Sequence, residues 1–170
     1  MKFGVHHKTG DAEGPEAGHP LVQLRHAHSA MLALCDRLEA IADSLPSDVS
    51  QFECEAVARA IVPLLESTQR FEEEVVFPYC VERSRGSCSV AASFDRLKAE
   101  HREDMSYGED IAEALRSIGS KRPVSGAETL GFMLRGFFGP LRRHVAFEAD
   151  YVCMTAGQGE AGAPKAADKS

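Results

Sequence analysis

The chain has no surplus of positive charge. Nineteen Lys and Arg stand against 26 Asp and Glu, a formal charge of −7. A phosphate backbone or an acidic lipid surface repels such a chain, which argues against non-specific nucleic-acid or membrane partners. No apolar run approaches the ~18–20 residues needed to cross a bilayer. Met1 to Gly18 is polar and Gly-rich, without the apolar core of a secretory signal. The five cysteines (Cys35, Cys54, Cys80, Cys88, Cys153) form no CxxC pair. Their odd number and scatter imply reduced thiols and a cytoplasmic setting. No strand pattern and no solenoid repeat is present. What remains is 170 residues, 44% hydrophobic and 26% charged, enough for one soluble domain with a substantial core.

Helical periodicity fills most of that length. Residues 1–18 read as a flexible arm, in which His6 and His7 belong to a solvated tail. Pro20 suits the first turn of a helix whose apolar face runs Leu21, Leu24, His28, Met31, Cys35, Leu38 and Ala42 and ends near Leu45-Pro46. Ser50 with Glu53 is a capping box for a second helix, with the stripe Ile61, Leu65, Thr68, Glu72, Val76 and Tyr79. Pro63 and Pro78 predict a kink or irregularity at each. A turn over Arg83 to Ser89 leads to a third helix with Val90, Phe94, Leu97, His101, Met105, Ile111 and Leu115 on one face. Ser125 with Glu128 caps a fourth helix, expected to bend near Gly136, Gly139 and Pro140 and to end about Met154. Residues 155–170 read as a disordered tail. Four long amphipathic helices with short turns specify an all-α, antiparallel up-down four-helix bundle over residues 19–154.

Each helix interrupts its own apolar stripe with polar groups. They are His28 on the first, Thr68 and Glu72 on the second, His101 on the third, and His144 and Glu148 on the fourth. In an up-down bundle they lie ~12 Å (His28), ~16 Å (Glu72), ~18 Å (His101), ~15 Å (His144) and ~9 Å (Glu148) from one pole, at about 1.5 Å rise per residue. His144 and Glu148 taken alone are better read as a hydrogen-bonded core pair. Convergence of four helices on one layer turns the reading toward a metal. Buried carboxylates need compensation, and three imidazoles with two carboxylates make a nitrogen/oxygen set for a first-row transition cation. A structural zinc site is disfavoured because no thiolate set converges. His26 reads as solvated, and Asp104 either orients His101, binds directly or faces solvent. Tyr79 and Tyr151 follow the carboxylates on the same faces, as packing groups or as hydrogen-bond partners of a bound ligand. Cys35 is a small core residue.

The pattern resembles the hemerythrin-like, or HHE cation-binding, family. That family carries His on helix one, His-x-x-x-Glu on helix two, His on helix three and His-x-x-x-Glu on helix four. The second-helix motif continues through Glu-Glu to Phe-Pro, matched here by Glu72-Glu73-Glu74-Val75-Val76-Phe77-Pro78. His28 lies within Leu24-Arg25-His26-Ala27-His28, His101 within Glu100-His101-Arg102, and His144 pairs with Glu148. One departure is clear: Thr68 stands where the family has its second-helix His. Gln69, Glu73 and His26 are alternative donors, but their helical phase points them sideways.

The resemblance implies a non-haem iron protein with a carboxylate-bridged centre of one or two ions, the second position depleted by Thr68. Dioxygen, nitric oxide or peroxide is the implied ligand, and iron handling, sensing or iron–sulfur repair the implied role. Alternatives are a mononuclear iron, manganese or zinc site, a metal-free helical interaction module, and a peroxidase-like enzyme. No dedicated general acid, base or nucleophile stands out, so a binding protein, monomeric or homodimeric, is expected before an enzyme.

Overall fold

The structure is a computed structural model that describes residues 18–119 and 126–157. Among these residues there are helices and turns and no strand. Helix α1 spans Pro20–Ser44; His19 caps it, its Nδ1 accepting from the Leu21 amide at 3.3 Å. Helix α2, Gln51–Phe71, is capped by Ser50, whose hydroxyl accepts from the Glu53 amide at 3.2 Å. It runs without a gap into a π-helical turn, Glu72–Val76, and then α3, Phe77–Arg83. After a turn with positive φ at Arg85 and Gly86, α4 spans Cys88–Gly119 and α5 spans Ala127–Gly157. The expected cap at Ser125 lies outside the described residues.

The prolines split in their effect. Pro63 and Pro140 are exposed and sit inside α2 and α5, which continue past them, so neither proline ends its helix. Their rings point to solvent, where water can serve the carbonyl left without a donor. Before Pro78 the helix widens instead: the Phe77 amide bonds Glu72 O, five residues back. This is the short π-turn found when one residue too many must fit a helix, often at functional sites. At the other end of the chain α5 outruns its expected stop. Thr155 and Ala156 are buried, and Arg83 Nε donates to Ala156 O at 2.9 Å, so these residues belong to the packed bundle rather than to a tail.

Two apolar clusters fill the interior. The larger includes Leu34, Leu38, Ile61, Leu65, Leu115 and Phe137; the smaller includes Leu24, Phe77, Phe94, Leu97 and Val152. Gly108 permits the close approach of α4 to α2, since a Cβ there would meet Leu65 Cδ1 at 2.5 Å and Ile61 Cγ2 at 3.1 Å. Between the clusters in sequence, on every long helix, lie the buried polar residues His28, Thr68, Gln69, Glu72, His101 and Glu148. Such groups are costly in a core unless partnered.

Cross-helix contacts follow one ordering. Arg37 pairs with Glu53 and His28 with Glu72. Arg135 pairs with Asp43, Arg142 with Asp36 and Glu39, and His28 with Glu148. Arg116 donates to Ala58 O, and His101 pairs with Glu73. Tyr107 donates to Met133 O, and Phe94 meets Tyr151. In each set, residue numbers rise on one helix as they fall on its neighbour.

Candidate metal centre

Five side chains from four helical segments meet in the polar layer. His28 Nε2 lies 2.9 Å from Glu72 Oε1 and 3.3 Å from Glu148 Oε2. The other oxygen of Glu72, Oε2, is 3.4 Å from His101 Nε2. Glu148 Oε2 is also 3.8 Å from His144 Nε2, and the His101 and His144 rings stand 5.2 Å apart. Each carboxylate thus reaches two imidazoles. Two triads have donor atoms within 4.8 Å of one another: His28, Glu72 and Glu148, and His101, His144 and Glu148. They share Glu148.

The imidazoles are aimed by groups outside the layer. His101 Nδ1 meets Glu73 Oε1 at 2.8 Å. His144 Nδ1 lies 3.3 Å from Glu100 Oε2 and 3.7 Å from Asp104 Oδ2. A carboxylate at Nδ1 fixes the orientation of each ring and turns its Nε2 into the layer. His101 Nε2 makes no hydrogen bond there, and Glu148 Oε1 is also buried without a partner. The space bounded by these groups is too tight for a water molecule, so a hydrating water is no remedy. A cation placed between the two unpartnered atoms would satisfy both. The donors fit such a cation: nitrogen and oxygen, no thiolate, held in an apolar shell.

Charge within the layer is balanced differently at His28. Burial opposes its protonation, but hydrogen bonds to Glu148 and Glu72, and their charge, outweigh burial and push its pKa up to about 9. Burial also pushes the Glu72 carboxyl up, to about 8, against the pull of His28. Asp104 is raised by burial too, opposed by His144 and His101.

The remaining expected residues divide. Thr68 is buried in the layer. Asp104 makes its carboxylate contact to His144 rather than His101. Tyr79 does not face the centre: its hydroxyl lies 3.4 Å from His19 Nε2, and Arg83 covers its ring at 5.3 Å. Tyr151 packs on Phe94 and Phe147 at 5.5 and 5.7 Å, beside the smaller apolar cluster. His26 is exposed as expected, and His6 and His7 lie outside the described residues. All five cysteines are free, Cys88 and Cys153 exposed.

Glu100 is the group sequence reasoning left out, and the sideways phase expected of Gln69 and Glu73 is what brings Glu73 to His101. Helix α2 contacts both α1 and α4. Sideways from α1 is therefore toward α4, and residues 69 and 73, one step on from 68 and 72, turn to that side. The π-turn beginning at Glu72 widens the helix there, with Glu72 meeting His28 on α1 while Glu73 meets His101 on α4. The only signal was the doubled acid Glu72-Glu73.

Residues 19–154 match the family model described as Hemerythrin HHE cation binding domain. No curated protein and no solved structure matches the chain. No helix among the described residues is long and apolar enough to cross a membrane.

Proposed function

The chain belongs to the hemerythrin HHE cation-binding family, and from that premise we propose that it is a non-haem iron protein with a carboxylate-bridged centre. His28, Glu72, His101, His144 and Glu148 hold the metal, and Glu72 and Glu148 span its two positions. The observation that carries this reading is the pair of buried polar atoms without a hydrogen bond, His101 Nε2 and Glu148 Oε1, set among the carboxylates and imidazoles of one layer. The reversed residue numbering across the four helix pairs described above supports an up-down antiparallel bundle as its frame.

Iron at this centre supplies an open coordination position for dioxygen, nitric oxide or peroxide. The chain's own residues bind, orient and shield. Glu73 and Glu100 fix the tautomers of His101 and His144, while Phe77, Leu141 and Val145 keep bulk water out. Acidic net charge supports small ligands rather than nucleic acid or membrane as partners. The role is binding, sensing or iron handling.

The two positions are unequal. One triad has two imidazoles, the other only His28 with two carboxylates. This favours, as a second reading, a single iron, manganese or zinc ion held by His101, His144 and Glu148. Elemental analysis after anaerobic reconstitution with ferrous iron separates the readings. About two irons per chain supports the dinuclear centre and about one the mononuclear site. No uptake refutes both and leaves a metal-free helical module. A visible absorption that changes on adding nitric oxide or peroxide then tests for the open position.

A further inference from the structure

Two hollows adjoin the polar layer, one closed and one open. The closed space, too tight for water, is bordered by Glu72, His101, His144 and Glu148, and two of these residues supply the unpartnered atoms, His101 Nε2 and Glu148 Oε1. The open one is a groove of about 380 Å³ between α4 and α5. Asp104 and His144 border both hollows, and no other residue does. His144 is also the most exposed of the five donors, its side chain 10% accessible against 7% for His28 and no more than 3% for the others. Its Nδ1 stands 3.3 Å from Glu100 Oε2 and 3.7 Å from Asp104 Oδ2, both residues of the groove. Elsewhere around the layer direct contacts span neighbouring helices: His28 to Glu72 at 2.9 Å, His28 to Glu148 at 3.3 Å and His101 to Glu73 at 2.8 Å. One turn before His144, Pro140 lines the groove and leaves the Gly136 carbonyl without its amide donor, so α5 carries one restraint fewer on this side. The carboxylates of Glu100, Glu103 and Asp104 outnumber the guanidiniums of Arg96 and Arg143 there, and Arg96 lies 3.6 Å from Glu100.

We propose that a divalent cation reaches the centre through the α4–α5 groove, and that Asp104 is the carboxylate that hands it inward past His144. This rests on the reading above that the layer holds a cation. An ion in water carries a shell of oxygens that it cannot take into a space closed to water. Protein oxygens must replace that shell as it is shed, because a bare charge in an apolar interior is costly. Asp104 has the position to begin the exchange: its side chain is 20% accessible, and it borders groove and layer alike. The imidazole beside it is then the first of the five donors that an incoming ion meets. Asp104 acts in loading, as a positioning residue outside the final ligand set. Merely orienting His144 is a different role and gives a different kinetic result.

The test mixes cobaltous ion alone with the metal-free full chain, anaerobically, and follows its visible absorption by stopped flow. Excess chelator added to the loaded protein then gives the release rate. Each variant is first checked for native helicity. Asp104→Asn keeps the volume and removes the charge. It is expected to load about tenfold more slowly and to release no faster than wild type. If Asp104 only orients His144, loading keeps its wild-type rate and release quickens, and that result overturns the hand-over. Arg143→Glu makes the groove more acidic without changing a donor. It should speed loading about threefold at low salt, a gain that high salt removes. Arg59→Glu makes the same change of net charge at an exposed position, about 20 Å along α2 from Glu72, and should load like wild type. Arg143→Glu loading no faster than wild type, or no faster than Arg59→Glu, overturns the groove as the route, whether or not Asp104→Asn folds. Wild type that takes up no cobaltous ion overturns the proposed function, and this route with it.

Discussion

His28 makes the metal-free protein sensitive to pH in a direction that metal reverses. Its pKa rises from 6.5 to about 9 on folding, so its contribution to stability is fully present below pH 6.5 and is lost as pH climbs through about 9. Glu72, raised from 4.5 to about 8, acts with the same sign, because the folded state again holds the extra proton. The pair shares one buried site, so the two contributions do not simply add. The full rise of His28 corresponds to about 3 kcal/mol at most. Between pH 6.5 and 8.5 the metal-free chain should lose about 1–3 kcal/mol, with a slope no steeper than about 1.4 kcal/mol per pH unit for one proton. A cation must displace that proton. Loading therefore releases it, and affinity should rise up to about tenfold per pH unit over the same range. Urea unfolding of chelator-treated protein at pH 6.5, 7.5 and 8.5 reads the first effect. Anaerobic Mn(II) titration at the same values reads the second. Working below pH 8.5 avoids Cys35, whose thiol burial pushes up to about 11. Replacing both titrating groups, His28→Gln with Glu72→Gln, should flatten the slope. Metal-free stability that is constant or rising over this range, or an equal fall in the double variant, would refute the reasoning.

Three other outcomes follow from the same geometry. Thr68→His should raise metal per chain above the wild-type value by elemental analysis if the His28 position is depleted. The larger ring should cost about 1–3 kcal/mol of metal-free stability, because Thr68 is already buried. Glu73→Gln should weaken Mn(II) binding about 10–100-fold by releasing the His101 tautomer, with helicity by circular dichroism unchanged; unchanged affinity would remove Glu73 from the centre. Gly108→Ala forces a methyl against Leu65 and Ile61. It should cost a net of about 1–2 kcal/mol of stability after the helix-propensity gain of alanine, read as a lower thermal midpoint, while metal per chain stays at the wild-type value.

Much of this protein is written along the chain. Local physics sets the helices: Pro20 and Ser50 start two of them, and the three-and-four spacing of Leu34, Leu38, Ile61, Leu65, Leu134 and Leu141 fixes which faces are buried. The same spacing puts His28, Glu72, His101 and Glu148 on those faces, and helical rise is regular enough to bring them to a common depth. Where a side chain points relative to two neighbours at once is a different matter. It depends on which helices flank it, and on small departures from ideal turn that no local preference encodes. That is why the π-turn before Pro78, the turn of Gln69 and Glu73 toward α4, and the diversion of Tyr79 to His19 emerge only from the packed structure. Pro63 and Pro140 carry the same lesson in reverse. A residue that weakens a helix in isolation is tolerated where its ring faces solvent and the opposite face is buried, because packing of that face supplies the stability that the lost hydrogen bond does not.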